Sequence, residues 1–258
     1  MTVTLHAVTG GLVRSFVLLM MACVTAVAQT PHAHNQLSAR DRADGWVLLF
    51  DGATTKGWLE ITGDPFPPTW RVEDGCMRTI VHPDSFQDIR TEGEWKSFEM
   101  TLEWKIAPKG NSGIKYLIPK VDKWKSRTGG DGFHARARGF EYQLADDAGN
   151  DDAKSTELNS TASLYGFLAP PKNKPVKPAG EWNETRLMVR DDHVEHWLNG
   201  MRTVEYELGG SVLAETPRAK TRPDAKELLA AAKRVGPISL QHHDSEVWFR
   251  CVKLRPLK

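Results

Sequence analysis

The chain has 258 residues, a formal net charge of +1 and 26% charged residues. A charge so close to zero sets up no field that would draw the protein to nucleic acid or acidic lipid. Beyond a leader, the length of about 230 residues suits one large domain.

Residues 1–28 read as a secretory signal peptide. Arg14 precedes an apolar run, Ser15–Val27, that closes on Ala26-Val27-Ala28, a small-residue cleavage site. The run is too short for a membrane span, and no other stretch is long enough. The expected mature protein begins near Gln29 and is secreted or periplasmic; a lipoprotein cut before Cys23 is the alternative. Residues 29–43 lack apolar periodicity and are expected to form a disordered lead-in, with the folded domain over 44–258.

Strand signals then recur along the chain. Gly45–Phe50 precedes an Asp51-Gly52 turn, Trp70–Val72 leads into Asp74-Gly75, and Met77–Val81 resumes an extended run. Ser97–Ile106 alternates almost strictly. Arg186–Arg190 and His193–Asn199 flank Asp191-Asp192 as a hairpin, Asn199-Gly200 is a further tight turn, and Glu246–Leu254 closes the chain. Many short strands with Gly-rich turns predict an all-β sandwich or jelly roll. Pro223–Arg234 is rich in helix formers between Pro-Asp and Gly236-Pro237, and predicts one short helical insertion. Pro170–Gly180 is Pro/Lys-rich and predicts a loop. Its Lys172, Lys174 and Lys177 read as solvated, with closure over a substrate as the other reading.

Four separated strands carry polar groups at alternate positions: Leu102–Ile106, Asn111–Ile118, Gly139–Leu144 and Ile238–Asp244. Residues i and i+2 share a strand face. Glu103 pairs in this way with Lys105, Glu141 with Gln143, and Gln241 with His243, while His242 points oppositely. A sheet aligning these faces would carry carboxylates, amides and an imidazole on one surface, as a carbohydrate site does. Tyr165, Trp182 and Trp197 are candidates for stacking on a sugar, against the plainer reading of core packing for most of the nine tryptophans. Cys76 and Cys251 either pair in an oxidising compartment or remain two buried thiols. No cofactor is demanded. Asp146, Asp147, Asp151 and Asp152 offer oxygen ligands for a structural Ca²⁺ but lack a metal-loop spacing, so a solvated loop is the competing reading.

The order of motifs resembles the 3-keto-disaccharide hydrolase domain family. The matching residues are Gly45–Gly52, Gly57-Trp58, Trp70–Gly75, Phe98–Lys105, Asn111–Tyr116, Gly139–Gln143, Ser163–Gly166, Gly180–Asn183, His196–Gly200 and Leu240–Arg250. They span essentially the whole mature chain. Asp244 departs from the family's usual late Gly. The resemblance implies a concanavalin-A-like, two-sheet antiparallel jelly-roll sandwich with one concave sheet. It also implies hydrolysis of 3-keto-glucosides. A ketone at C3 acidifies C2–H, a base removes that proton, the enolate expels the C1 oxygen, and water adds back. Such a site needs a base, an acid and donors for developing charge. Glu141 or Glu103 is the candidate base and His243 the candidate acid, or the reverse of these roles. Asn111, Lys115, Gln143 and Gln241 are candidate donors, with Tyr165 beside them. Two other readings stay open: a two-carboxylate glucanase, which Gln143 at the partner position of Glu141 disfavours, and a non-catalytic carbohydrate-binding module.

Overall fold

The computed structural model describes residues 34–81, 85–125, 133–231 and 235–258. The expected signal peptide, its lipoprotein alternative at Cys23 and the start of the lead-in lie outside the described residues. In chain order the elements are α1 (Ala39–Ala43), β1 (Val47–Leu48), β2 (Trp58–Glu60), β3 (Trp70–Glu73), β4 (Cys76–Thr79), β5 (Phe86–Gln87), β6 (Ile89–Thr91), β7 (Phe98–Ile106), β8 (Asn111–Lys125) and β9 (Phe133–Ala145). There follow α2 (Asp151–Ser155), β10 (Asn183–Arg190), β11 (His193–Leu198), β12 (Met201–Glu207), α3 (Ser211–Ala214), α4 (Pro217–Thr221), α5 (Pro223–Ala231), β13 (Ser239–Leu240) and β14 (Val247–Pro256).

The strands form two sheets, so the fold is the all-β sandwich the pattern predicts. An eight-stranded sheet runs β12-β11-β10-β7-β14-β4-β3, with β1 added beside β14. A six-stranded sheet runs β2-β6-β13-β8-β9-β5. All pairings are antiparallel except the short parallel contact of β5 with β9. Alternation decides what lies between the sheets. Phe98, Met100, Leu102, Trp104 and Ile106 of β7 face Ile114, Tyr116, Phe140 and Tyr142 of β8 and β9 in one buried cluster. Buried ring polar groups find partners there: Trp104 Nε1 donates to Thr185 Oγ1 at 3.0 Å, and the Tyr116 hydroxyl lies 2.6 Å from His196 Nε2. The Asn199-Gly200 turn has both residues at positive φ, the geometry a two-residue hairpin requires.

One placement differs from expectation. The lead-in is ordered from His34 onward. Asn35 is buried, and Ser38 and Asp41 cap α1 reciprocally. Such anchoring by single polar side chains leaves no periodic trace in sequence. The expected helix at Pro223–Arg234 is present as α5, and its last three positions lie outside the described residues. It is the last of three short helices, and it packs against β9 of the six-stranded sheet.

Candidate active site

A cavity of about 600 Å³ lies on the face of the six-stranded sheet that turns away from the core. Register creates this face. Lys115 stands opposite Glu141, Gly113 opposite Gln143, and Ser239 opposite Lys115. The Gln241 N–H continues the ladder by donating to Gly113 O at 2.9 Å. Directly opposed residues share a face. Asn111, Lys115, Glu141, Gln143, Gln241 and His243 therefore all line the cavity. A cover closes over them: Asp152, Asn159 and Tyr165 from the segment after β9, Arg218 of α4, Arg222 between α4 and α5, and Leu228 of α5. Arg136 and Arg138 extend the wall along β9.

Two glycines make the close packing possible. A Cβ on Gly113 would collide with the Glu141 carboxylate, which lies across that strand position. A Cβ on Gly166, at φ +72°, would collide with Arg218. Arg218 instead lies over the Tyr165 ring, 5.5 Å from its centroid, and the Tyr165 hydroxyl donates to Asp152 Oδ2 at 2.9 Å.

The charges are buried and ordered. Lys115 Nζ lies 3.1 Å from Asp88 Oδ2, with the side chains 5% and 0% exposed. Asp88 also receives the N–H groups of Ala137 and His242, at 3.0 and 3.1 Å. These donors hold its carboxylate and, through it, fix Lys115. With its amide turned so that the nitrogen faces Glu141, Gln241 bridges this carboxylate and the cation: it donates to Glu141 Oε1 at 3.3 Å and accepts from Lys115 Nζ at 3.0 Å. Burial raises the Glu141 carboxyl above its ordinary range, an effect that Lys115 reduces and Asp88 reinforces. Burial pushes His243 down to about 4, and the Arg136 guanidinium adds to this, so the imidazole is neutral at pH 7. The Phe86 ring stacks parallel to it, 6.3 Å away. Among the described residues, Gln143 Oε1 and Arg136 Nε are buried without a hydrogen-bond partner, leaving both available to a ligand.

The structure thus brings together Glu141, His243, Asn111, Lys115, Gln143, Tyr165 and Gln241, and it separates Glu103 from them. Glu103 lies on β7 of the other sheet, where Arg250 Nε bonds its carboxylate at 2.6 Å. Strand parity assigns a residue to a face but not to a sheet. Trp182 and Trp197 likewise stand outside the cavity. Trp182 covers the guanidinium of Arg250, 3.8 Å from its ring centroid, and Trp197 packs on Arg186. His242 is structural: it is buried, and its Nε2 lies 2.9 Å from Ile80 O. The acidic run does not gather around a cation position. Asp146 accepts from Lys109 N, Asp147 pairs with Lys174, Asp151 with Lys154, and Asp152 serves Tyr165 and Asn159. Cys76 and Cys251 are free thiols. Sequence reasoning missed Asp88, Arg136 and Arg218. The alternation Ala135-Arg136-Ala137-Arg138 was a usable sign of a strand presenting cations on one face. Asp88 and Arg218 carry no such signal, because one sits between two short strands and the other on a short helix.

The 3-keto-alpha-glucoside-1,2-lyase-like domain family matches residues 45–255. The 3-keto-disaccharide hydrolase of Bacteroides thetaiotaomicron is 34% identical over 233 residues, covering 83% of this chain and 79% of that protein. Two crystal structures of candidate glycosyl hydrolases from Parabacteroides distasonis are also similar. One has 27% identity and a TM-score of 0.72, covering 88% of this chain and all of that one. The other has 25% identity and a TM-score of 0.61, covering 82% and 99%. The chain therefore belongs to the 3-keto-alpha-glucoside-1,2-lyase-like domain family, and it is a glycosidase-type hydrolase.

Proposed function

We propose that this hydrolase cleaves 3-keto-glucosides by elimination and hydration, with Glu141 as the base. The observation that carries the reading is the meeting of one carboxylate of raised pKa with Lys115, Arg136 and Gln241 inside a covered cavity. A C2–H beside a ketone is acidic enough for such a base, and the enolate that forms needs cations and amide donors already in place. Lys115, fixed by Asp88, and Arg136 supply that charge, while Asn111 and Gln143 hold sugar hydroxyls. Glu141 takes the C2 proton and, as a carboxylic acid, returns it to the departing C1 oxygen. Its raised pKa brings these two states closer in energy at neutral pH. Water then adds its oxygen to C1. His243, held neutral, accepts the water's proton and hands it to C2, so that one water is split across C1 and C2 and the imidazole returns to its neutral state. A resting imidazolium acid at this position is disfavoured by the same burial that keeps the ring neutral.

A two-carboxylate glycosidase fits less well. Apart from Glu141, the carboxylates lining the cavity are Asp152, held by Tyr165 and Asn159, and Asp224, held by Arg218 and Arg222. The test is hydrolysis of 3-keto-trehalose or 3-keto-lactose beside the unoxidised sugars. Release from the keto-sugars alone is expected, because C2–H without the ketone is too weak an acid for a carboxylate. Comparable rates on both would refute the elimination route. Export with cleavage after Ala28 belongs to the same reading, and N-terminal sequencing of the exported protein tests it. A lipidated terminus at Cys23 would replace it.

A further inference from the structure

On the outer face of the eight-stranded sheet, three residues far apart in sequence offer three kinds of metal ligand. His34 Nδ1, Cys251 Sγ and a Glu103 carboxylate oxygen all lie within 4.8 Å of one another. The His34 Nδ1 to Cys251 Sγ separation is 3.6 Å. Bonds of about 2.0 Å to nitrogen and 2.3 Å to sulfur at a tetrahedral centre put the two ligand atoms about 3.5 Å apart. The observed spacing of these two atoms therefore matches two ligands on one ion, and the Glu103 carboxylate lies within a side-chain adjustment of the third position.

The surroundings hold this arrangement in place. Cys251 sits at φ +54° within the irregular stretch of β14 between Arg250 and Lys253, a conformation rare for a residue other than glycine. Asn35, itself at φ +58° and buried, accepts the Cys251 N–H at 2.8 Å and donates to Gly75 O at 2.8 Å. That double bond fixes the residue next to His34 against the strand. Arg250 occupies one side of the Glu103 carboxylate, as an outer partner orients a metal-ligating carboxylate. Trp182 in turn covers the guanidinium.

We propose that His34, Glu103 and Cys251 bind one Zn²⁺, with water in the fourth position, as a clasp that fastens the N-terminal segment to the last strand. Imidazole, thiolate and carboxylate together suit Zn²⁺ better than a hard cation such as Ca²⁺ or Mg²⁺. On binding, Cys251 forms a sulfur–zinc bond and releases its thiol proton to solvent. The site lies on a different sheet from the cavity and takes no part in the chemistry proposed there, so either reading can fail without the other.

The experiment is a titration of the mature, metal-stripped protein with Co²⁺, followed by competition with Zn²⁺. One equivalent of Co²⁺ with a thiolate-to-cobalt charge-transfer band in the near ultraviolet is expected. Cys251→Ser should abolish the band, and His34→Gln should weaken binding by more than the roughly 10–100-fold typical of losing an outer-shell partner. Cys76→Ser should leave the titration unchanged. No thiolate band in the reduced protein, a band that survives C251S, or a band lost in C76S would overturn the proposal. So would a Cys76–Cys251 disulfide found by thiol titration of the exported protein.

Discussion

Glu141 and Glu103 look alike in sequence. Each alternates with large apolar residues, and each has a polar residue two positions on, in Phe140–Leu144 and Leu102–Ile106. Their surroundings are opposite. Glu141 lies under a cover of short helices and loops with a raised pKa, whereas Glu103 lies on an outer face, 29% exposed and bonded by Arg250, itself 18% exposed. The same contrast separates the ion pairs: Asp88–Lys115 is sealed, and Glu103–Arg250 meets solvent. What distinguishes the two carboxylates is enclosure, which comes from residues remote in sequence.

The sharpest way to break the comparison is to remove one charge from each pair. Asp88→Asn leaves Lys115 buried without its counter-ion and is expected to cost about 3–5 kcal/mol of stability. Arg250→Gln on the outer face should cost about 1 kcal/mol or less. Denaturant unfolding of both variants checks this, and equal losses would mean that the cavity pair is as well solvated as the outer one.

Activity should divide the two glutamates next. Glu141→Gln keeps the shape but removes the proton acceptor, and turnover of a 3-keto-glucoside is expected to fall about 10²-fold or more. Glu103→Gln should change it by less than about twofold, since its partners lie on the other sheet. Full activity in E141Q would dismiss Glu141 as the base. A smaller effect follows from the strand beneath it. Gly113→Ala should lower turnover about tenfold by pushing the carboxylate off its position, with the fold retained by circular dichroism.

The smallest effect concerns pH and has opposite signs in the two regions. Glu141 has a raised pKa when folded, so the folded state holds its proton longer. Its contribution to stability is present below the unfolded pKa and is lost as pH rises through the folded value. Burial would also raise Glu99 on the outer face, but hydrogen bonds from Arg186 and Arg255 outweigh it and lower the pKa. Its contribution is present above the unfolded pKa and is lost as pH falls through the folded value. Thermal melts from pH 3 to 8 should therefore show E141Q gaining on the parent protein as pH rises. Glu99→Gln should instead show its deficit at neutral pH and lose it in acid. Parallel curves for E141Q and the parent would mean that Glu141 titrates as an ordinary carboxylate.

The sequence by itself determined the sandwich, its main turns and the sharing of faces by Glu141 with Gln143 and by Gln241 with His243. Those features depend on the two-residue period of a strand and on turn dipeptides, which are local properties of the chain. Tertiary structure decided which sheet each face belongs to, and so removed Glu103 from the site. It also decided what covers the cavity and which cations stand in it. Asp88, Arg136 and Arg218 act through partners remote in sequence, as far as the 154 positions between Asp88 and His242, and no spacing rule records such distances. The meeting of His34 with Cys251 belongs to the same class: it exists only because Asn35 bonds a strand 216 positions further along the chain.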